Sequence, residues 1–198
     1  MITIGITGPT GAGKTTALRE LEGLGGAIID CDAVYHGILN SDPDLQRVLE
    51  AEFGPLKGEQ GEIDRKKLGA VVFRDPTALE RLNAIVYPVI GRAVDRLLKQ
   101  AEEEGKPAAA VDGITIIESG LSKRCDTTVA VLAPVEERVR RICLREGISE
   151  DYAMARVTAQ KQDDYFRANC EHILMNDCAG PEEFALRARA LFEQILNP

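Results

Sequence analysis

Eight residues near the start of the chain are of types and spacing that suit phosphate chemistry: Gly8-Pro9-Thr10-Gly11-Ala12-Gly13-Lys14-Thr15. They fit the pattern G-x-x-x-x-G-K-[ST]. A β-like run, Ile2-Thr3-Ile4-Gly5-Ile6, precedes them, and helix formers from Thr16 to Leu21 follow. Strand, glycine loop and helix form the context in which this pattern holds phosphate. Glycines let successive backbone N–H groups turn inward onto phosphate oxygens. The first helical turn adds unpaired N–H groups and the positive end of its dipole. Lys14 is placed to reach the β- and γ-phosphates of a nucleotide, and the Thr15 hydroxyl to ligate Mg²⁺.

Carboxylates and guanidinium groups elsewhere can complete a phosphoryl-transfer site. Asp30 and Asp32 follow a second apolar run, Gly26-Ala27-Ile28-Ile29. On an extended chain, residues two apart face one side, which would send both carboxylates into the crevice at the carboxyl ends of parallel strands. A hydroxyl acceptor needs a group that takes or orients its proton in line with the phosphate, and Asp32 is assigned this role. The alternative is an N-cap for a helix starting at Ala33. Asp112 closes a third apolar run, as a Walker-B carboxylate would, and can hold Mg²⁺ through water; the alternative is a turn residue before Gly113. Arg138, Arg141 and Arg145 recur at i, i+3 and i+7, with Arg140 and Arg156 close in sequence. One helical face of guanidinium groups can close over transferring phosphates. The alternative is a solvated helix paired with Glu136, Glu137 and Glu146.

The elements that must position these residues alternate. Strands are expected at the N-terminus, at Gly26–Ile29, at Ala108–Val111 with an extension or sequel over Ile114–Ile117, at Thr127–Leu132 and at His172–Met175. The apolar continuity of Thr127–Leu132 suits a sheet covered on both faces. Between the second and third strands, residues from about 42 to 104 read as helical. Asp42-Pro43, Asp64 and Asp75-Pro76 mark helix starts, residues 54–61 form a loop, and Tyr87-Pro88 marks a break. Pro134 opens a helix to about Glu146, Ser149 opens another toward Gln160, and Pro181–Leu196 is a final amphipathic helix. This is the pattern of an α/β fold with a five-stranded parallel, doubly wound sheet. The expected organisation is one domain. Its core spans about 1–32, 105–137 and 171–198, with a helical acceptor region over about 33–104 and a lid over about 138–170.

Composition sets limits on function. The chain has 198 residues, 44% hydrophobic and 28% charged, enough for one domain with a proper core. A net charge of −8 argues against nucleic acid as the main partner. No apolar stretch reaches the length of a membrane span, and no signal core opens the chain, so a cytoplasmic protein is expected. The five cysteines include no C-x-x-C pair, and only His36 and His172 could join them in a metal site, so unbridged thiols are expected. No Asn-Lys-x-Asp sequence supports guanine specificity. Asp177-Cys178-Ala179-Gly180 has D-x-x-G spacing but follows the last strand and reads as a turn. The remaining choice is a kinase for a small acceptor, with a nucleotide-binding regulator as the contrasting class.

Taken together, the chain resembles the dephospho-CoA kinases, which perform the last step of coenzyme A synthesis. The opening Ile4–Gly8 into Gly13-Lys14-Thr15-Thr16 is similar to that family's start. Ile28-Ile29-Asp30-Cys31-Asp32 resembles its Asp-Ala-Asp motif. Ile63–Leu68 followed by Val72-Phe73, then Leu82–Pro88, resemble its acceptor-binding region. Arg141 with Arg145, and Arg156 with Gln160, resemble its lid, and Ile173–Asn176 resembles the segment near adenine. Three positions differ. Tyr87-Pro88 stands where the family has His-Pro, Ile114-Thr115-Ile116 where it has Pro-Leu-Leu, and Cys170-Glu171 where it has Ala-Asp. The resemblance implies transfer of the γ-phosphoryl group of ATP to the ribose 3′-hydroxyl of dephospho-CoA, with Mg²⁺ as cofactor. It implies that Gly8, Gly11, Ala12, Gly13, Lys14, Thr15, Thr16, Arg145 and Asn176 serve ATP. Thr7, Asp32, Arg65, Tyr87 and Asp112 would serve the acceptor, and Asp32, Lys14 and Arg141 the chemistry. Thr15 would hold the metal, with Asp112 joining through water. A monomer without nucleic-acid or membrane partners is expected, and another hydroxyl or nucleotide acceptor remains an alternative substrate.

Overall fold

A computed structural model describes residues 1–58 and 61–197. Glu59 and Gln60, within the expected loop, lie outside the described residues. Five strands form a parallel sheet: β1 (Ile2–Thr7), β2 (Ala27–Asp30), β3 (Ala108–Asp112), β4 (Thr127–Leu132) and β5 (His172–Met175), in the order β2-β3-β1-β4-β5. Parallel pairing sets Ile4 against Ala110 on one side of β1 and against Thr127 on the other. The central strand therefore delivers residue 8 to the point where the order reverses, where open α/β sheets bind ligands.

Side-chain alternation explains how both faces are covered. Val129 and Val131 of β4 point to one face, with Ile4, Ile6, Ala108 and Ala110. There they meet Leu21 of α1 (Lys14–Gly23) and Phe184, Ala188 and Phe192 of α9 (Pro181–Leu196). Ala130 and Leu132 point to the other face and meet Phe166 of α8 (Asp163–Asn169). The sequence had not signalled α8, which is seven residues long and lacks a side-chain cap. Period-two alternation on a strand buried on both sides requires apolar residues at every position, as β4 has from Val129 to Leu132. Beyond β4, α6 (Val135–Glu146) and α7 (Glu150–Thr158) bury Val139, Ile142, Ala153 and Val157 in a small core of their own.

The chain divides into two compact units, one of residues 1–29 with 98–198, the other of residues 30–97. The second unit is helical. Asp30 caps α2 (Cys31–Ser41), Asp42 caps α3 (Pro43–Phe53) and Asp64 caps α4 (Arg65–Val72), each accepting two backbone N–H groups. Such caps satisfy donors that a helix start leaves unpaired. The buried Gln46 amide donates to the Leu39 carbonyl at 2.8 Å and ties α3 to the end of α2. Lys57 and Ile63 form an isolated antiparallel bridge.

Two expectations about elements are overturned. The break at Tyr87-Pro88 does not occur; α5 runs from Pro76 to Glu103 with Pro88 inside it. A mid-helix proline costs about 3 kcal/mol. Val86, Ile90 and Val94 are 4%, 8% and 0% exposed and lie along one stripe across that point. Each such burial contributes about 1.5–3 kcal/mol, so together they outweigh the proline. The strand expected at Ile114–Ile117 is a turn. Gly113 still donates to Ile6, but Ser119 then bonds Thr115, and Gly120 bonds Ile117. Only Ile116 of that apolar run is fully buried, so the burial that would reward a sixth strand is missing.

Candidate active site

Gly8 leaves β1 with φ 136°, and a Cβ there would stand 2.1 Å from the Val131 carbonyl oxygen. Gly13 ends the loop with φ 110°, and a Cβ would stand 2.4 Å from Asn176 Nδ2. Only glycine fits at either end of this loop. Between them the backbone is gripped from β5's end and from α6. Asn176 is 5% exposed and donates from Nδ2 to the Ala12 carbonyl at 2.8 Å. Arg141 Nη1 donates to the carbonyls of Gly11 and Ala12 at 3.2 and 3.3 Å, and its Nη2 to Asn176 Oδ1 at 3.3 Å. Asn176 and Arg141 thereby hold the carbonyl side of the loop in place.

Lys14, Thr15, Asp112, Arg141, Arg145 and Arg156 line one cavity of about 390 Å³ together with the loop. Lys14 Nζ donates to the Gly8 carbonyl at 2.8 Å, the Thr15 side is exposed, and Asp112 Oδ1 is sealed from solvent. Glu146 bridges Arg145, at 2.6 Å, and Arg156. Hydrogen bonds from these two guanidinium groups hold its carboxyl below the usual carboxylate range. A second cavity of about 270 Å³ shares Gly13 and Arg141 with the first and adds Thr16, Asn176 and Cys178–Pro181.

Arg138 departs from the expected phosphate-facing row. Its side chain is 1% exposed and turned onto the loop itself, with Nε donating to the Thr10 carbonyl at 3.0 Å and Nη2 to Gln160 Oε1 at 2.8 Å. Burial pulls its pKa below the usual arginine range, and the Asp163 carboxylate opposes that shift. The shared face of α6 is real, but its first two arginines dock onto the loop's carbonyls. Thr7 is fully buried, and its hydroxyl donates to the Ile114 carbonyl at 3.2 Å.

The helical unit carries Asp32, Arg65 and Tyr87. Asp30 and Asp32 do not share one face of an extended chain, because helix α2 begins at Cys31. Asp30 Oδ1 accepts from the backbone N–H groups of Asp32 and Ala33 at 2.9 and 3.0 Å. The cap is therefore Asp30, and the exposed Asp32 side chain is not needed for that duty. Asp32, Tyr35 and His36 stand at i, i+3 and i+4, one face of α2. Arg65 Nη1 lies 2.6 Å from His36 Nε2. Guanidinium only donates, so Nε2 accepts and the ring proton sits on Nδ1. Burial pushes the Tyr35 hydroxyl pKa up, and the Arg65 charge opposes it. Tyr87 is half-buried in the middle of α5. His36 entered the sequence argument only as a metal-ligand candidate; its spacing of four from Asp32 was the available signal.

Comparison with known proteins agrees along the chain. The family model for dephospho-CoA kinase matches residues 2–182. A dephospho-CoA kinase of Thermobifida fusca is 32% identical over 196 residues, covering 98% of this chain and 96% of its own. One of Syntrophus aciditrophicus is 36% identical over 199 residues, covering 100% of this chain and 84% of its own. A solved protein from Thermus thermophilus superposes with a TM-score of 0.82 at 31% identity, covering 100% of this chain and 98% of its own. Identity of this level over nearly the whole length, on the sheet and phosphate loop described above, makes the chain a member of the dephospho-CoA kinase family and an enzyme of the kinase class.

Proposed function

We infer that the protein transfers the γ-phosphoryl group of ATP to the ribose 3′-hydroxyl of dephospho-CoA, giving CoA and ADP. The observation that carries this is the lining of one cavity by Lys14, Thr15, Asp112, Arg141, Arg145 and Arg156 in a chain of this family. Phosphoryl transfer asks a protein for positioning and for charge stabilisation on the equatorial oxygens, and that set supplies both. Lys14 would leave the Gly8 carbonyl for the β- and γ-phosphates. Gly8, Gly11, Ala12, Gly13 and Thr16 would form the cradle around the chain of phosphates, with the Ala12 and Thr16 N–H groups holding its turn on the Pro9 and Gly13 carbonyls. Asn176, on the second cavity, would stand beside adenine.

The Thr15 hydroxyl and the Asp112 carboxylate are hard oxygen donors on one cavity, a set that suits Mg²⁺ with its remaining waters. Bound there, the ion would supply charge neutralisation between phosphates. Arg141 and Arg145 would meet the transferring group, and the segment from 138 to 170 would act as a lid that excludes water. Asp32 would accept or orient the proton of the attacking hydroxyl, with Arg65, Tyr87 and Asp112 serving the acceptor, while the fully buried Thr7 would act only by holding Ile114. A cytoplasmic protein that acts as a monomer accompanies this proposal, with an oligomer as the alternative.

The test is ADP release from ATP and Mg²⁺ with and without dephospho-CoA, with the product identified by mass. Acceptor-dependent ADP with an equal amount of CoA is the expected result. ATP binding without stimulation by dephospho-CoA would overturn the acceptor assignment.

A further inference from the structure

Thr10 sits at the third position of the phosphate loop, and the chemistry above gives it no task. Four hydrogen bonds define its surroundings. Arg138 Nε donates to the Thr10 carbonyl at 3.0 Å, and Arg138 Nη2 to Gln160 Oε1 at 2.8 Å. The Thr10 backbone N–H donates to Gln160 Oε1 at 3.1 Å, and Gln160 Nε2 lies 2.8 Å from Thr10 Oγ1. Oxygen and nitrogen of the Gln160 amide are fixed by logic alone. The atom that faces both a guanidinium N–H and a peptide N–H must be the acceptor, so the other is the NH₂.

It follows that the Thr10 hydroxyl accepts from Gln160 and keeps its own hydrogen for another partner. The peptide N–H of Thr10, by contrast, is already spent on Gln160. Thr10 is part of the wall of the cavity that holds Lys14, Thr15 and Arg145, but not of the second cavity beside Asn176. Thr10 therefore lies toward the end of the phosphate chain that the reading above places away from the nucleoside. We propose that the Thr10 hydroxyl donates a hydrogen bond to the terminal phosphate of ATP, and that Gln160 is the positioning residue that aims it.

The proposal rests on the ATP site inferred above but not on the identity of the acceptor. Hydrogen bonds to charged groups are among the stronger ones, and this one exists only for the triphosphate. Calorimetry with the β,γ-imido analogue of ATP and with ADP, both with Mg²⁺ and without acceptor, separates the outcomes. Thr10→Val keeps the shape and removes the hydroxyl. It is expected to weaken the triphosphate about tenfold or more while ADP binding changes less than about twofold. Thr10→Ser should recover most of the loss. Gln160→Glu keeps an acceptor for Arg138 and for the Thr10 N–H but turns the second atom into an acceptor, which draws the hydroxyl hydrogen away from the cavity. It should reproduce the selective loss, and the double variant should lose no more than either single one.

Equal weakening of both nucleotides in Thr10→Val would show a role in holding the loop only and would overturn the proposal, as would unchanged binding of both. Additive losses in the double variant would remove Gln160 from the aiming role. Absence of CoA from wild-type turnover would strike the function proposed above and leave these binding comparisons standing.

Discussion

Arg138 reaches across 128 positions of sequence to donate from Nε to the carbonyl oxygen of Thr10 at 3.0 Å. Arg138 is 1% exposed, so the phosphate loop is bolted to α6 by a buried cation. Arg138→Ala would strand the buried Thr10 carbonyl, at a cost of about 1–3 kcal/mol, and take one of two donors from Gln160 Oε1. Urea unfolding should show a loss of about 2 kcal/mol or more. Arg140→Ala removes an exposed, solvent-screened pair with Glu137 and should leave the urea midpoint nearly unchanged. Equal losses for the two variants would contradict the buried-bolt assignment.

Lys14 lies at the first position of α1, outside the buried stripe of Ala17, Leu18 and Leu21. Lys14→Ala should abolish CoA formation while the far-ultraviolet circular dichroism spectrum stays unchanged. Retained turnover would displace the phosphate loop from the centre of the mechanism.

Asp30 and Asp32 allow helix capping and the proposed proton transfer to be tested apart within three residues. Asp30→Ala removes the cap of α2 and should cost about 1 kcal/mol of stability. Asp32→Asn leaves that cap in place. It should lower kcat at least about 10²-fold with little change in melting temperature or in ATP affinity. A near-normal kcat would take the proton-accepting role from Asp32.

Asp126 accepts from the Thr3 backbone N–H at 2.8 Å and from the Thr3 hydroxyl at 2.7 Å. These bonds lower its pKa below the usual carboxylate value in the folded protein. The unfolded chain therefore takes up the proton first as pH falls. Stability from this group is present above the unfolded value of about 3.9 and is lost as pH drops through the folded value. In Asp126→Asn, urea midpoints measured between pH 3 and 6 should fall less steeply on the acid side than in the wild type. Parallel profiles would refute the assignment.

The strands were legible because each carries an apolar run with punctuation at its ends. Thr127–Leu132 and His172–Met175 matched residue for residue. The caps at Asp42 and Asp64 were legible for the same reason: an N-cap bonds backbone two or three residues ahead, so its cause is local. Pro88 misled because its local cost is real, and the buried stripe that overrides it belongs to packing. Asp30 and Asp32 were confused as partners because a β-run leading straight into a helix has no residue between the two to announce the change.

By itself the sequence determined a phosphate loop on the first strand of a parallel α/β sheet, with its lysine, its hydroxyl and the arginines that follow. Those are properties of residue type and spacing over a few turns of chain. Tertiary structure decided the work of residues whose partners are distant. Arg138 and Arg141 look alike on α6, yet one is buried as a bolt and the other lines the cavity. Thr10 and Gln160 are 150 positions apart, and nothing in either neighbourhood points to the other. Burial and hydrogen-bond direction are properties of the assembled fold, because they depend on which surfaces meet.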